Sequence, residues 1–402
     1  MNNLLITMSG GTTTVINATL VGVIKSVKAS KSIDRLYAGV PGLLGVFDDS
    51  LIDLTDLSVS QLERLRYTPS SGFIGATRLK YLDDYDFKRL ETIFDKYQIK
   101  YFLNIGGNGT IKQTMSISAY FKGSVKVASL PKTVDNDLGD KEFEKVFFTP
   151  GYPSCINYWI HKVNMLNQEN LGAHSHDRVL IGQTFGRKTG FITAAARMAD
   201  IDRNLPLILL LPENQRPIAE VLAEIDRKVT SNKRAVVIMS EGYHIDDVGE
   251  IRDYSGQVMY GSSKSTAVQL LVNACLEKGI QSRGFNPTVD QRSEMIFTLE
   301  HDLTYAESLG KLAVDNLEQG NSEFLASIGS TADYEILETI IPYSEIKDFS
   351  RIMPDHWLEP NSFDVSDGYI AYARKVLADF TRINLGQQYF HKFLLSDEIL
   401  IK

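Results

Sequence analysis

The chain has 402 residues, 43% hydrophobic and 23% charged, with a formal net charge of −8, a balance ordinary for a globular enzyme of two or three domains. The acidic balance argues against a nucleic-acid surface, which carries basic patches, and no run of about 18 apolar residues is present to span a membrane. Two cysteines, Cys155 and Cys275, make no disulfide framework and point to a reducing cytoplasm, and Met1–Ile6 lacks the basic start and long apolar core of a signal peptide.

In chain order, Leu4–Met8 reads as a buried strand, Ser9–Thr14 as a tight small-residue loop and about Val15–Lys28 as a helix. Strand, glycine loop and helix start together make an anion cradle, although any α/β unit turns with glycine. Asp83–Tyr97 has helical spacing at Phe87, Leu90, Ile93 and Phe94, and Tyr101–Ile105 is the next strand. It ends in Gly106-Gly107-Asn108-Gly109-Thr110, before a helix from about Ile111 to Phe121. Three glycines let a backbone approach a polyphosphate closely. A dinucleotide fold competes with that reading, but the loop lacks Gly-x-Gly-x-x-Gly spacing.

The apolar pair Val127-Ala128 reads as the end of a short buried strand, followed by Leu130-Pro131-Lys132-Thr133-Val134-Asp135-Asn136-Asp137-Leu138. In an open α/β sheet the carboxyl edge is where ligands bind. Two aspartates there can divide two tasks, one taking a proton from an attacking hydroxyl and the other helping to hold a divalent cation. An Asx-rich turn that caps the next element is the competing reading. Apolar strands then alternate with helices: Val179–Ile181 before Gly186–Gly190 and a helix through Met198, Leu207–Leu211 ending at Pro212-Glu213, Ala235–Met239 ending at Ser240-Glu241-Gly242, and a helix over about Ser263–Lys278. This alternation predicts an α/β fold of mainly parallel sheets covered by helices. From about Asn321 the pattern reads as irregular, with Tyr369–Ala378 as one more helix.

Both glycine loops and the aspartate pair together resemble the phosphofructokinase family, from Leu4 to about Leu377, and most closely its pyrophosphate-dependent or mixed-substrate branch. The resemblance implies two Rossmann-like domains with the active site in the cleft between them. On that basis 1–139 with about 290–350 would bind the phosphoryl donor, and 140–289 with about 351–402 would bind fructose 6-phosphate. The implied reaction phosphorylates the sugar's 1-hydroxyl to give fructose 1,6-bisphosphate, a step of glycolysis, with Mg²⁺ as cofactor.

Matching residues carry the family's roles. Asp135 aligns with the base and Asp137 with its partner near the metal, while Lys132 and Thr133 align with residues at the transferring phosphoryl group. Gly10, Gly11, Arg78, Gly107, Asn108, Gly109 and Thr110 fall on the donor site. Gly186 and Arg187 match a Met-Gly-Arg motif, with Phe185 in place of Met, and Glu241 aligns with the carboxylate that accepts from sugar hydroxyls. Arg178 and Arg283 align with arginines that reach the sugar 6-phosphate across a subunit interface, and Arg292 with a further arginine there. A homodimer or homotetramer with shared sugar-phosphate sites follows. Chemistry agrees, because arginine offers fork-shaped donors for phosphate.

Several positions depart from the family. Asn108 replaces an aspartate that helps hold the metal, keeping an oxygen ligand but losing a charge, so Mg²⁺ should bind less well. Val289 stands where many ATP-using relatives have histidine, and Pro153 interrupts a segment that usually carries a small residue. At Gly109 pyrophosphate enzymes have an aspartate in the place of the ATP α-phosphate, so glycine admits a nucleotide. Lys132 is compatible with either donor. The balance tips narrowly to ATP, with pyrophosphate as the alternative. A kinase of another acceptor, such as a lipid or dinucleotide, and a non-catalytic paralogue that binds sugar phosphate are the other readings.

Overall fold

The computed structural model describes residues 1–378 except 80, 247–248, 253–255, 257, 261–263, 332–334 and 347–348. Its strands in chain order are β1 (Asn3–Met8), β2 (Leu36–Gly39), β3 (Leu51–Asp53), β4 (Ile99–Gly106), β5 (Lys126–Pro131), β6 (Val179–Thr184), β7 (Leu207–Leu210), β8 (Ala235–Ser240), β9 (Ser282–Phe285), β10 (Phe324–Ser330) and β11 (Ile336–Pro342). They build two compact units. The first comprises Met1–Cys155, Arg252–Val258 and Val289–Ile352, and the second Ile156–Ile251, Met259–Thr288 and Met353 onward.

In the first unit seven strands run in the order β11-β10-β5-β4-β1-β2-β3. Five of them, β10, β5, β4, β1 and β2, run parallel. The edge strands β3 and β11 pair antiparallel to β2 and β10. Parallel strands covered on both faces require apolar runs rather than alternation, and all six residues of β1 are buried. Helix Asp84–Lys96 begins where Asp83 and Asp86 form a capping box, the Asp83 carboxylate accepting from the Asp86 N–H at 2.9 Å. Its Leu90, Ile93 and Phe94 share one buried face and join Leu5, Phe102 and Val127 in the core.

The second unit has four parallel strands in the order β7-β8-β6-β9. Val179, Ile181, Ile208 and Val237 from its strands pack with Val221 and Leu271 from helices Ile218–Asn232 and Ala267–Glu277. The doubly covered, mainly parallel architecture is the one the alternating pattern predicts.

The differences are local. β5 runs on to Pro131, so its last residue abuts Lys132. The second glycine loop is itself a helix start: the helix begins at Asn108 rather than Ile111, and the N–H groups of Thr110 and Ile111 already donate to Gly107 O at 2.9 and 3.1 Å. The helix read through Met198 is an α-helix over Phe191–Ala195 continued by a 3₁₀ turn over Ala196–Ala199. Ser263 lies outside the described residues, and the helix there starts at Ala267 with Thr266 as its cap. The stretch after Asn321 is not irregular. It holds β10 and β11, and β10 has no alternation because every residue in it is buried. The first segment of the first unit runs to Cys155 rather than 139, and there Gly151 and Ser154 donate to the buried Asp302 carboxylate of the same unit. Arg351, expected in the second domain, belongs to the first unit.

Candidate active site

In the first unit three segments meet at the carboxyl edge of the sheet. The loop after β1 pairs with the segment carrying Arg78, through a Ser9–Thr77 bridge and the Gly10 N–H to Thr77 O at 2.8 Å. The loop after β4 opens helix Asn108–Phe121, whose first N–H groups form a site for anions. The turn after β5 carries Lys132 to Asp137.

Lys132 ties these segments together. Its N–H donates to Gly106 O at 3.0 Å, and its Nζ donates to Ser9 O at 3.0 Å and to Gly11 O. The side chain is 2% exposed. Burial, and next the charge of Arg292, pull its pKa down from 10.5 to about 7, against the opposing pull of Asp135 and Asp137. A Cβ on Gly11 would sit 3.0 Å from Arg292 Nη1, so glycine is what lets that guanidinium lie over the loop. Arg292, expected among the sugar-phosphate residues, is therefore a neighbour of Gly11 and Lys132. Arg78 also acts on Lys132 through its charge.

Asp135 donates its N–H to Thr133 Oγ1 at 3.1 Å, and the Thr149 hydroxyl holds Thr133 O at 2.8 Å. Asp137 receives the Asn108 amide on its backbone oxygen at 3.2 Å and on Oδ2 at 3.3 Å. Burial pushes the Asp137 carboxyl up, and the Asn108 hydrogen bond works against that rise. Among the described residues no group of three or more His, Cys, Asp or Glu could hold a metal. The Asn108 amide turns its NH₂ rather than its oxygen to Asp137. A half-turn of the amide would bring one carboxylate and one amide oxygen together, a set that suits Mg²⁺, which takes few protein ligands when a substrate's phosphates supply the rest.

In the second unit, the ends of β6 and β8 hold a second constellation. The Glu241 N–H donates to Thr184 O at 2.9 Å, and the Ser240 hydroxyl holds Gly186 O. Arg187 Nε lies 3.6 Å from Glu241 Oε1, and its guanidinium faces the Tyr260 ring at 5.7 Å. Arg178 and Arg283 are not with them. Arg178 precedes β6, and Arg283 is the second residue of β9, in register with Leu180. Both lie at the amino edge of the sheet, a strand length of roughly 20 Å from Glu241. Arg283 Nη2 is paired with Asp177 Oδ2 at 2.7 Å.

Residue spacing did not point to Asp177, Asp302 or Arg351. Asp177 adjoins Arg178 in the sequence and is the one that could have been noticed. The other two reach their partners from 148 and 215 residues away. Both cysteines are free and buried, and no helix among the described residues is long and apolar enough to cross a membrane.

Cations and helix-start N–H groups here converge where a polyphosphate's charge needs neutralising, with a carboxylate beside them to accept a hydroxyl proton. That is the chemistry of a phosphotransferase with an alcohol acceptor. A family model described as phosphofructokinase matches residues 3–316, and the chain belongs to that family. A Rhodospirillum rubrum protein named pyrophosphate--fructose 6-phosphate 1-phosphotransferase is 29% identical over 391 residues, covering 92% of this chain and 93% of its own length. The structure of the pyrophosphate-dependent phosphofructokinase from Nitrosospira multiformis matches with a TM-score of 0.81 at 26% identity, covering 94% of this chain and 91% of that one. An ATP-dependent 6-phosphofructokinase of Persephonella marina is less similar, at 23% identity over 338 residues, 82% of this chain and 90% of that protein. The comparisons therefore favour the pyrophosphate alternative over the ATP reading drawn from Gly109.

Proposed function

We propose that the protein transfers a phosphoryl group from pyrophosphate to the 1-hydroxyl of fructose 6-phosphate. The observation that carries this is the Lys132 cluster: one buried cation tied to the first glycine loop and acted on by both Asp135 and Asp137. The greater similarity to proteins named for pyrophosphate supports the donor. Gly109 only removes an obstacle to a nucleotide, and an absent obstacle does not supply affinity.

In this reading the first unit holds the donor, with Gly10, Gly11, Arg78, Gly107, Asn108, Gly109 and Thr110 around the phosphates. Asp135 accepts the proton of the 1-hydroxyl. Lys132 and Thr133 hold the transferring group, and Arg292 adds a third cation to the phosphate set. Mg²⁺ arriving with the donor would sit at Asp137 and the Asn108 amide oxygen and would neutralise phosphate charge. Gly186, Arg187 and Glu241 of the second unit bind the sugar. Arg178 and Arg283 lie too far along the same sheet to join them. A second copy of the chain supplies those arginines, and the active form is a homo-oligomer.

ATP is kept as the second reading, because a side chain added at Gly109 would meet nothing within 4 Å. The test is the specificity constant for each donor, with fructose 6-phosphate and Mg²⁺ in a coupled assay. Turnover with ATP but not pyrophosphate would overturn the donor assignment. Turnover with neither would overturn the activity.

A further inference from the structure

We propose that Arg351 is a positioning residue that sets the shape of the catalytic turn. The inference rests on the reading of Asp135 as the base and Asp137 as its metal-side partner. Between them, Asn136 is fully buried with φ +54, a left-handed conformation that asparagine adopts more readily than most side chains. Its buried carbonyl and amide still need hydrogen-bond partners.

Arg351 takes both acceptors of that one residue: Nε donates to Asn136 O at 2.9 Å and Nη2 to Asn136 Oδ1 at 2.7 Å. The same Oδ1 accepts from the Thr149 N–H at 3.2 Å. Other guanidinium N–H groups donate to Val146 O, to Phe147 O at 3.3 Å and to Asp140 O at 3.5 Å, and the guanidinium carbon lies 4.1 Å from the Phe143 ring centroid. The backbone follows suit. The Arg351 N–H donates to Asp137 O at 2.9 Å, the Gly139 N–H donates to Phe349 O at 2.9 Å, and Leu138 bridges Ser350. Segment 349–351 thus runs as a short strand along 137–139.

Such a fork cannot be copied by a point-like ammonium, because only guanidinium presents several fixed N–H directions in one plane. Arg351 is 1% exposed, which keeps water from competing for those acceptors. Gly139 makes the room. Its φ is +145, and a Cβ there would stand 2.8 Å from Arg351 Nη1. Two independent substitutions therefore disturb the same grip, one on the arginine and one on the glycine beneath it. Neither touches Lys132 or the glycine loops.

The experiment compares Arg351→Lys and Gly139→Ala with wild type, using Phe94→Leu and Asp135→Asn as references. Turnover is measured with pyrophosphate, Mg²⁺ and fructose 6-phosphate, or with ATP should that prove the donor. Fructose 6-phosphate binding is measured separately by calorimetry, and folding by the thermal midpoint. Misplacing reacting groups by about 1 Å costs roughly 10²-fold, so Arg351→Lys and Gly139→Ala should each lower kcat by about 10- to 100-fold. The dissociation constant for fructose 6-phosphate should stay within about twofold, because the sugar residues lie in the other unit. Phe94→Leu, on the buried face of helix Asp84–Lys96, should retain kcat while lowering the midpoint. Should lysine not be accommodated, Gly139→Ala presses one methyl group on the same guanidinium and equally on Val146 Cβ, at 2.8 Å each, and its thermal midpoint reports whether it stays folded. Folded variants with near-wild-type kcat overturn the proposal, as does an equal loss in Phe94→Leu, which would mark general loosening. Near-normal turnover in Asp135→Asn instead removes the reading beneath it. Loss in Asp135→Asn with no loss in Arg351→Lys removes the positioning role alone.

Discussion

Asp177→Asn should tighten the binding of fructose 6-phosphate. Arg283, assigned to the sugar's 6-phosphate, is held by Asp177 at 2.7 Å, with the arginine side chain 65% exposed and the aspartate 14%. An incoming phosphate must compete with that carboxylate and feel its charge. Two unit charges about 4 Å apart interact by about 4 kcal/mol at an effective dielectric of 20. Exposure on the arginine side reduces this to the scale of a surface pair, about 0.5–1 kcal/mol. Removing the carboxylate should therefore lower KM for fructose 6-phosphate about two- to fivefold with kcat unchanged. The gain should shrink at about 1 M salt, where charges are screened within about 3 Å. The assay is a double-mutant cycle of Asp177→Asn and Arg283→Ala at low and high salt. A raised or unchanged KM in Asp177→Asn, alongside a raised KM in Arg283→Ala, would refute the competition. No change in Arg283→Ala would show that this arginine is not at the sugar phosphate at all.

Gly109→Asp should fold normally, since its side chain enters open space. It should weaken any ATP use about fivefold or more, as expected of about 1 kcal/mol of charge repulsion at the α-phosphate, and leave kcat/KM for pyrophosphate unchanged; an equal loss for both donors would contradict this placement. In the proposed reading Lys132 holds phosphate as an ammonium, and with its pKa pulled down to about 7 the free protein loses that charge as pH rises. The dissociation constant for pyrophosphate should then climb above pH 7 towards tenfold per unit, and Lys132→Met should flatten the slope; a flat wild-type profile between pH 6 and 9 would exclude the effect. Arg178→Ala and Glu241→Ala subunits, each nearly inactive alone, should regain activity when mixed, because mixed oligomers restore some complete sites; confirmed mixing without recovery would count against sharing.

Where the chemistry is local, the sequence was readable. Thr133 to Asp137 follow an apolar strand directly, and the glycine loops follow two more, so strand ends and ligand groups could be placed together. Edge and partner choices were harder. β10 reads as irregular because a strand buried on both faces between β5 and β11 has no period to show. Arg351 and Asp302 act over separations of 215 and 148 residues, and nothing in their neighbourhoods marks them. Arg292 matches a sugar-phosphate arginine by spacing, and what spacing could not show is that its guanidinium lies beside Gly11. The donor reading meets a related limit, because Gly109 reports only what is permitted, whereas the wider similarity favours pyrophosphate.

The insertion of β10 beside β5 also dictates an order of events at the ribosome. Strands β1 to β5 are made early, yet β5 waits with an open edge until Phe324–Ser330 has been synthesised. Meanwhile β6 to β9 are all made, so the sheet of the second unit can close while the first is still unfinished. An open parallel edge is a template for wrong pairing, and the intervening residues prolong that exposure. The nascent chain carries the Thr133–Asp137 motif long before residue 351 emerges to grip Asn136.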